Sequence, residues 1–186
     1  MLKLGNADDS LSLQAEQETS VLRIAFADKK GEKETQFNMN LMTLDSEHLQ
    51  IPESQFGSKI TLHASEFSKI CRELYCLSET LAVRTQRDRV TLTVEGDVGS
   101  GQMTLLQGET DKEDHCILEV HQEIDQQFAL RYLNMFNKAA GLSSYTRLGL
   151  HLDQPLVTEF NMGQTGSLKF YLAPKISEEW AARKIW

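Results

Sequence analysis

The side chains best suited to chemistry in this sequence are histidines, cysteines, serines and clustered acids. His115 and Cys116 follow acidic residues between 111 and 114 and could in principle bind a metal ion. The ligand spacing of a tetrahedral site is missing, so a solvated acidic loop explains the segment better. Ser143-Ser144 lacks a nearby histidine and acid in a nucleophile motif, and no GxxxxGK[ST] phosphate loop occurs. We therefore expect no enzyme activity, no metal and no cofactor.

A second set of residues is basic and follows helical spacing. Arg131, Asn134 and Lys138 recur at i, i+3 and i+7 in a segment without acids. Basic residues on helix faces are often simply solvated. If a repeat brings such helices side by side, however, their bases form a concave stripe suited to a phosphate backbone. The basic residues on predicted helices are Lys3, Lys69, Arg72, Arg131 and Lys138.

The stretch 41–56, LMTLDSEHLQIPESQF, lies between two blocks of strand-like sequence. The residue before a proline is driven out of the α region, so Ile51-Pro52 is predicted to be extended. Leu49 and Ile51 then lie on the same side of the chain. They could pin this linker to a neighbouring domain, or form one wall of a groove for a partner peptide.

Composition limits the class of protein. With 186 residues, 40% of them hydrophobic, the chain can hold one good-sized domain and part of another. A net charge of −8 argues against tight, non-specific adhesion to nucleic acid by the whole surface. Three cysteines without CxxC spacing predict free thiols in a reducing compartment. No apolar run is long enough for a membrane and residues 1–30 lack a signal-peptide pattern, so we expect a soluble intracellular protein with no membrane partner.

Hydrophobic periodicity predicts a repeated unit. In 64–107 a helix, with Ser65 as its N-cap, precedes three alternating runs, and Gly99-Ser100-Gly101 is interpreted as a hairpin turn. In 126–174 a helix ending at Gly141 again precedes three runs. With SKITLH (58–63) and CILEVH (116–121) as linking strands, each copy is predicted to be β-α-β-β-β. Residues 1–42 add the last turn of a helix and three strands. The predicted fold class is therefore α+β with mainly antiparallel sheets.

Several segments resemble the proliferating cell nuclear antigen family, the sliding clamps of eukaryotic DNA replication. They are LMTLDSEHLQIPE, FSKICREL, FALRYLNMFNKAAGLSS and LKFYLAPKI, and the resemblance runs from Met1 to about Ile176. It implies a DNA-clamp fold in which three chains close head to tail around duplex DNA, with helices lining the hole and sheets outside. The domains expected from it are part of clamp domain one (1–42), an interdomain connector (43–56), clamp domain two (57–174) and a divergent tail (175–186).

The resemblance also implies function and sites. It implies a nuclear, homotrimeric processivity factor without catalytic activity, acting in DNA replication and repair with the clamp loader and with polymerases that carry a clamp-binding peptide. The same basic residues would face DNA. The implied peptide groove is Leu49, Ile51, Pro52, Phe56, Pro155, Tyr171, Leu172, Ala173 and Pro174. The implied subunit contacts lie on 33–40 and 99–107, at Phe37, Gly101 and Met103.

The sequence departs from the family's pattern in three places. The family's first β-α-β-β-β unit has no counterpart, so we expect trimers only if that front half is supplied. The inner face of the first three strands is then expected to be exposed, at Leu11, Leu13, Leu22, Ile24 and Phe26. Arg87 stands where the family has a lysine for ubiquitin-like modification, and the tail reads SEEWAARKIW. The alternative hypothesis is a truncated, clamp-derived scaffold that binds peptides but does not close around DNA.

Overall fold

A computed structural model describes residues 5–6, 8–15, 20–42, 56–108, 116–152 and 154–175. The chain divides into two compact units, Met1–Pro52 and Glu53–Trp186. Several predictions concern residues outside the described ranges. They are the helix turn with Lys3, the connector with Leu49, Ile51 and Pro52, the acidic loop with His115, and the tail after 175.

The first unit contains an antiparallel sheet of three strands, β1 (Ser10–Ala15), β2 (Val21–Ala27) and β3 (Glu34–Asn40), in that spatial order. Leu11 pairs with Phe26 and Leu13 with Ile24, so these four side chains share one face. Leu11 and Leu13 are 48% and 62% exposed, whereas Ile24 and Phe26 are buried. The expectation of an exposed apolar face is therefore right for β1 and wrong for the centre of β2.

In its described residues, the second unit contains two sheets and two α-helices. Their bounds are β4 (Ser58–His63), α1 (Ala64–Tyr75), β5 (Thr80–Gln86), β6 (Arg89–Gly96), β7 (Gly99–Leu106), β8 (Ile117–Val120), β9 (Asp125–Ala129), α2 (Leu130–Phe136), β10 (Tyr145–Leu150), β11 (Leu156–Asn161) and β12 (Ser167–Leu172). Short 3-10 helices cover Asn137–Leu142 and Gly163–Thr165. Antiparallel sheets with few helices confirm the α+β class.

The two repeats of this unit exchange their first strands. The five-stranded sheet has the order β12-β11-β10-β4-β8, and the four-stranded sheet has the order β7-β6-β5-β9. Thus β4, which precedes α1, pairs with β10 of the other repeat, and β9, which precedes α2, pairs with β5. Neither repeat has a complete sheet without the other, so the two repeats share both sheets.

The larger of two hydrophobic clusters fills the space between these sheets and the helices. Phe67, Ile70, Cys71 and Leu74 recur at i, i+3, i+4 and i+7 along α1, and all four are buried. They join Ile60 and Leu62 of β4 and Leu148 and Leu150 of β10 in a single cluster, which also takes in Leu130 and Leu133 of α2. The amphipathic pattern of α1 therefore decides which side of the helix faces the five-stranded sheet.

Four local predictions are wrong. His63, not Ser65, occupies the N-cap position of α1, because β4 runs directly into the helix. Residues 126–129 are in β9 rather than in the second helix, since the free edge of β5 pairs with them. Gly141 lies within a 3-10 helix instead of following a helix end. Gly99 and Gly101 are in β7, so the hairpin turn is shorter than predicted.

The strand exchange also corrects the boundary of the second repeat. CILEVH was interpreted as its first strand, but β8 pairs with β4 at the edge of the five-stranded sheet. The strand that matches β4 in position, directly before a helix, is β9. The second repeat therefore begins near Asp125.

Of the three cysteines, Cys71 and Cys116 are buried and Cys76 is exposed, and none forms a disulfide. Burial raises the pKa of the Cys71 thiol to about 12, an effect that a contact with the Asn137 side chain partly offsets. Burial, with Glu66 nearby, raises the pKa of Cys116 to about 11. Both thiols are therefore protonated at neutral pH and serve as small apolar core residues.

A buried pair of hydroxyl groups joins the two sheets. The Ser58 hydroxyl donates to the carbonyl of Gln122 at 2.6 Å and lies 2.9 Å from the Thr85 hydroxyl. Thr85 Oγ1 also accepts from the backbone N–H of Ile124 at 3.0 Å. Ser58 begins β4 and Thr85 is in β5, so this network ties the ends of the exchanged strands together.

We expect Thr85→Val to lower the free energy of unfolding by about 1–3 kcal/mol, because the buried N–H of Ile124 loses its acceptor. The matched control is Thr104→Val on the exposed side of β7, for which we expect a change within about 0.5 kcal/mol. Urea denaturation of both variants measures the difference. Equal stabilities for the two variants would show that the hydroxyl network contributes nothing.

Candidate functional site

The first candidate surface is the exposed side of the two helices. Each helix begins at the residue after an exchanged strand, α1 after His63 and α2 after Ala129. Because α1 contacts both α2 and the following 3-10 helix, their outer sides are neighbours. The predicted DNA-facing residues on this surface are all exposed: Lys69, Arg72, Arg131 and Lys138. We call this set the basic helix face.

The side chains of the basic helix face are only weakly held. Lys69 lies 3.9 Å from Glu73 in a pair that is largely exposed, and Arg72 donates to Ser68 at 3.4 Å. Arg131 lies over the ring of Tyr132, 4.6 Å from its centroid. Such exposed contacts contribute little to stability, so the cationic groups remain available to a ligand.

Asn134 does not belong to the basic helix face, although its spacing placed it with Arg131 and Lys138. Its side chain is half-buried and donates to the carbonyl of Cys71 at 3.4 Å, which links α2 to α1. The 3.6-residue period identified one side of α2 but could not separate its solvent edge from the edge that contacts α1.

The second candidate surface is the outer face of the five-stranded sheet, opposite α1. Strand alternation places Tyr171, Val157, Gly149 and Lys59 in one row across this face. The ring of Phe56 lies on Gly149, so closely that a Cβ there would be only 2.6 Å from the ring. Glycine is therefore the residue that allows Phe56 to rest on the sheet.

Tyr171 and the segment after β12 continue this surface. Tyr171 is partly exposed, Pro155 and Ala173 are exposed, and Pro174 is half-buried. Leu172 points the other way into the core, so only its main chain can contribute to the outer surface. We call Phe56, Pro155, Tyr171, Ala173 and Pro174 the groove residues; the groove residues predicted on the connector lie outside the described ranges.

Strand β9, in the four-stranded sheet, forms hydrogen bonds with the segments on both sides of the groove. The Gln126 amide donates to the carbonyls of His151 and Leu152 at 3.0 and 2.9 Å, just before Pro155. The N–H of Lys175 donates to Gln127 at 2.7 Å, and its ammonium group bonds to Thr80. Segments that would otherwise be loose loops are therefore fixed by the strand exchange.

Two residues of this surface were missed from the sequence, Gly149 and Val157. A glycine inside an alternating strand is a known sign that other atoms approach the backbone closely. Val157 is buried although it is on the outer face, within a run of three buried residues that interrupts the alternation of β11. Both signals are present in the sequence, but neither indicates which residue packs against the strand at that point.

The predicted subunit contacts lie on edge strands. Phe37 is half-buried on β3, at the edge of its sheet, and packs edge-to-face on Phe26 with the ring centroids 6.5 Å apart. Gly101 and Met103 are on β7, at the edge of the four-stranded sheet. Met103 packs against the core, so β7 presents its main chain at this edge.

Within the described ranges, no three His, Cys, Asp or Glu residues lie together so that they could hold a metal ion. No helix in that part of the chain is long and apolar enough to span a membrane. Arg87 is exposed in the turn between β5 and β6.

Comparison with protein families identifies what this arrangement resembles. The family model of the proliferating cell nuclear antigen C-terminal domain matches residues 50–175. The model of the N-terminal domain of the same antigen matches residues 1–48. These matches confirm the resemblance seen in the sequence segments, and the sheets and helices described above are consistent with the DNA-clamp fold.

We expect Gly149→Ala to lower the free energy of unfolding by about 1–3 kcal/mol, since the new methyl group displaces the Phe56 ring. In a Phe56→Ala background the same change should cost much less, because the space above the strand is then open. Gly141→Ala is the control, as a Cβ at that position meets no other atom. Urea denaturation of the double-mutant cycle measures the coupling, and additive effects would contradict the contact.

Proposed function

The chain belongs to the proliferating cell nuclear antigen family of sliding clamps, and we propose that it is a processivity factor that encircles duplex DNA in the nucleus and tethers polymerases and repair enzymes. The family as a whole supports a role in DNA replication through DNA and clamp-binding proteins, by non-enzymatic scaffolding. The finer statements, that this chain encircles DNA and tethers partners by a peptide groove, are our proposal.

The observation that carries the proposal is the basic helix face. The chain has a net charge of −8, yet Lys69, Arg72, Arg131 and Lys138 are all exposed on helices that contact one another. Phosphate contacts of this kind are independent of base sequence and are weakened by salt. A ring that holds DNA by enclosure needs only such loose contacts, because tight ones would prevent sliding.

Edge strands support assembly of a ring. Both β3 and β7 lie at the edge of their sheets, and main-chain pairing of β3 in one copy with β7 in the next would continue a sheet between subunits. Such a contact is heterologous, so it forms a closed ring when the rotation between copies permits. We propose a homotrimer on this basis.

The groove residues support the tethering of partners. Tyr171 and Phe56 offer aromatic surface beside exposed Pro155, and strand β9 holds the neighbouring segments in place. Aromatic residues held on a rigid sheet are typical of the positions that dominate binding energy at interfaces. We propose that polymerases and other partners dock a short peptide with apolar and aromatic anchors here.

Reversing the charges of Arg131 and Lys138 to glutamate should abolish clamp-dependent polymerase processivity, because the basic helix face then repels the duplex. The control is Arg84→Glu with Arg87→Glu, which makes the same change of charge on β5 and its hairpin turn. Primer extension on a long template measures processivity, and light scattering confirms equal assembly. Equal loss in both double variants would contradict a DNA-facing role, and peptide binding without DNA-dependent activity in the unmodified protein would favour the peptide-binding scaffold.

Tyr171→Ala should weaken the binding of a partner peptide by about 1–3 kcal/mol, since the groove loses an aromatic anchor. Tyr75→Ala is the matched control because the two tyrosines are similarly exposed, at 40% for Tyr75 and 38% for Tyr171. Titration calorimetry with one synthetic peptide measures both affinities. Unchanged binding by Tyr171→Ala, or equal loss in the two variants, would remove the groove from the proposal.

A further inference from the structure

A charged basin lies beside Phe56 on the outer face of the five-stranded sheet. Its volume is about 1050 Å³, and its lining includes Phe56, Lys59, Arg147, Glu159 and Lys169. None of these residues except Phe56 belongs to the groove residues. The basin is therefore a separate feature of the same face.

The register of the strands creates the charge pattern of the basin. Glu159 on β11 pairs with Arg147 on β10 and with Lys169 on β12, so its carboxylate stands between two cations. The distances are 3.5 Å to Arg147 and 3.9 Å to Lys169. One carboxylate cannot neutralise two cations, so this row keeps one excess positive charge.

The two cations of this row are more exposed than the carboxylate between them. The Glu159 side chain is 19% exposed, whereas those of Arg147 and Lys169 are 53% and 48% exposed. The neighbouring Lys59 forms an ion pair with Glu119, with 3.2 Å between Nζ and Oε2. At the row of Arg147, Glu159 and Lys169, a ligand thus meets N–H donors before it meets the carboxylate, on a chain whose net charge is −8.

The basin is continuous with the groove through one ring. Phe56 lies on Gly149, which pairs with Val157 on one side and with Lys59 on the other. The same ring therefore borders the apolar row that ends at Tyr171 and the charged basin. A peptide whose anchors rest against Phe56 and Tyr171 would carry its adjoining residues across the basin.

We propose that the basin binds an acidic stretch, rich in aspartate or glutamate, that adjoins the apolar anchors of a partner peptide. This inference rests on the proposed peptide-docking function and adds to it a preference for one kind of flanking sequence. Charge complementarity favours carboxylates that are spaced along a peptide, because they can contact Arg147 and Lys169 while avoiding Glu119 and Glu159. A continuous phosphate backbone fits less well, since these two glutamates repel it and the basic helices cover the opposite face of the sheet.

The test uses two synthetic peptides with the same aromatic and aliphatic anchors, one extended by four glutamates and the other by four glutamines. Each extension is placed at either end in turn. We expect one glutamate peptide to bind the unmodified protein about threefold to tenfold more tightly than its glutamine counterpart at low salt. The ratio should fall towards one at about 1 M salt, where the screening length is only about 3 Å.

Two variants of opposite sign identify the basin as the cause. Arg147→Gln should remove most of the preference for glutamate, whereas Glu159→Gln should increase it, because the excess positive charge grows. Arg84→Gln is the control on the other sheet and should leave the ratio unchanged. The glutamine peptide reports groove binding in every variant, so a misfolded variant is recognised by its loss of both peptides. If Arg147 and Glu159 had a purely structural role, Arg147→Gln and Glu159→Gln would not change the preference for the glutamate peptide in opposite directions.

The outcomes separate this inference from the proposed function. If neither peptide binds, the peptide-docking function itself is overturned. If both bind equally at low salt, or if Glu159→Gln weakens the preference, the groove stands and the acidic-flank inference is overturned. If a single-stranded oligonucleotide displaces the glutamate extension and its binding follows the same two variants, the basin is a nucleic-acid site and our assignment is wrong.

Discussion

The exchange of strands β4 and β9 between the two repeats is the constraint on which the second unit depends. Each of these strands hydrogen-bonds in the sheet of the other repeat and then runs directly into its own helix. The helices therefore have no free linker with which to reorient. Main-chain pairing sets where α1 and α2 begin, and the common core then holds them side by side. The basic helix face is a consequence of this pairing.

The same exchange organises the outer face. Because β4 pairs with β10, Lys59 lies opposite Gly149. The ring of Phe56 packs on Gly149, where there is no side chain. Because β9 joins β5, its Gln126 side chain and Gln127 carbonyl reach the segments around Pro155 and Pro174. The two faces of one sheet thus carry different surfaces. Helices and bases lie on one side, and the groove and the basin lie on the other.

The buried thiols and hydroxyl groups of the unit serve its core and the junction between its sheets. Burial keeps the thiols of Cys71 and Cys116 protonated at neutral pH, so neither is a ready nucleophile. The hydroxyl groups of Ser58 and Thr85 form hydrogen bonds at the junction between the sheets. The Lys69–Glu73 pair on the described surface is largely exposed, and such pairs contribute little to stability.

The sequence alone determined the elements whose periodicity is strong and local. The apolar spacing of Phe67, Ile70, Cys71 and Leu74 is typical of a helix such as α1, and the predicted strands at 58–63 and 116–121 agree with β4 and β8 to within a residue. It also identified the exposed bases, since charged side chains on an amphipathic helix avoid the core. The family resemblance supplied Phe56 and Tyr171 as groove residues, but no periodicity could have done so.

Only the tertiary structure decided which edges and faces meet. Residues 126–129 became a strand because β5 offered an unpaired edge, and α2 consequently begins later than its periodicity predicts. The Asn134 side chain contacts α1, the Leu172 side chain is in the core, and Gly149 lies under Phe56. These outcomes depend on hydrogen bonds and packing between residues far apart in the chain, whereas a pattern read along the sequence reports only which neighbours share a face.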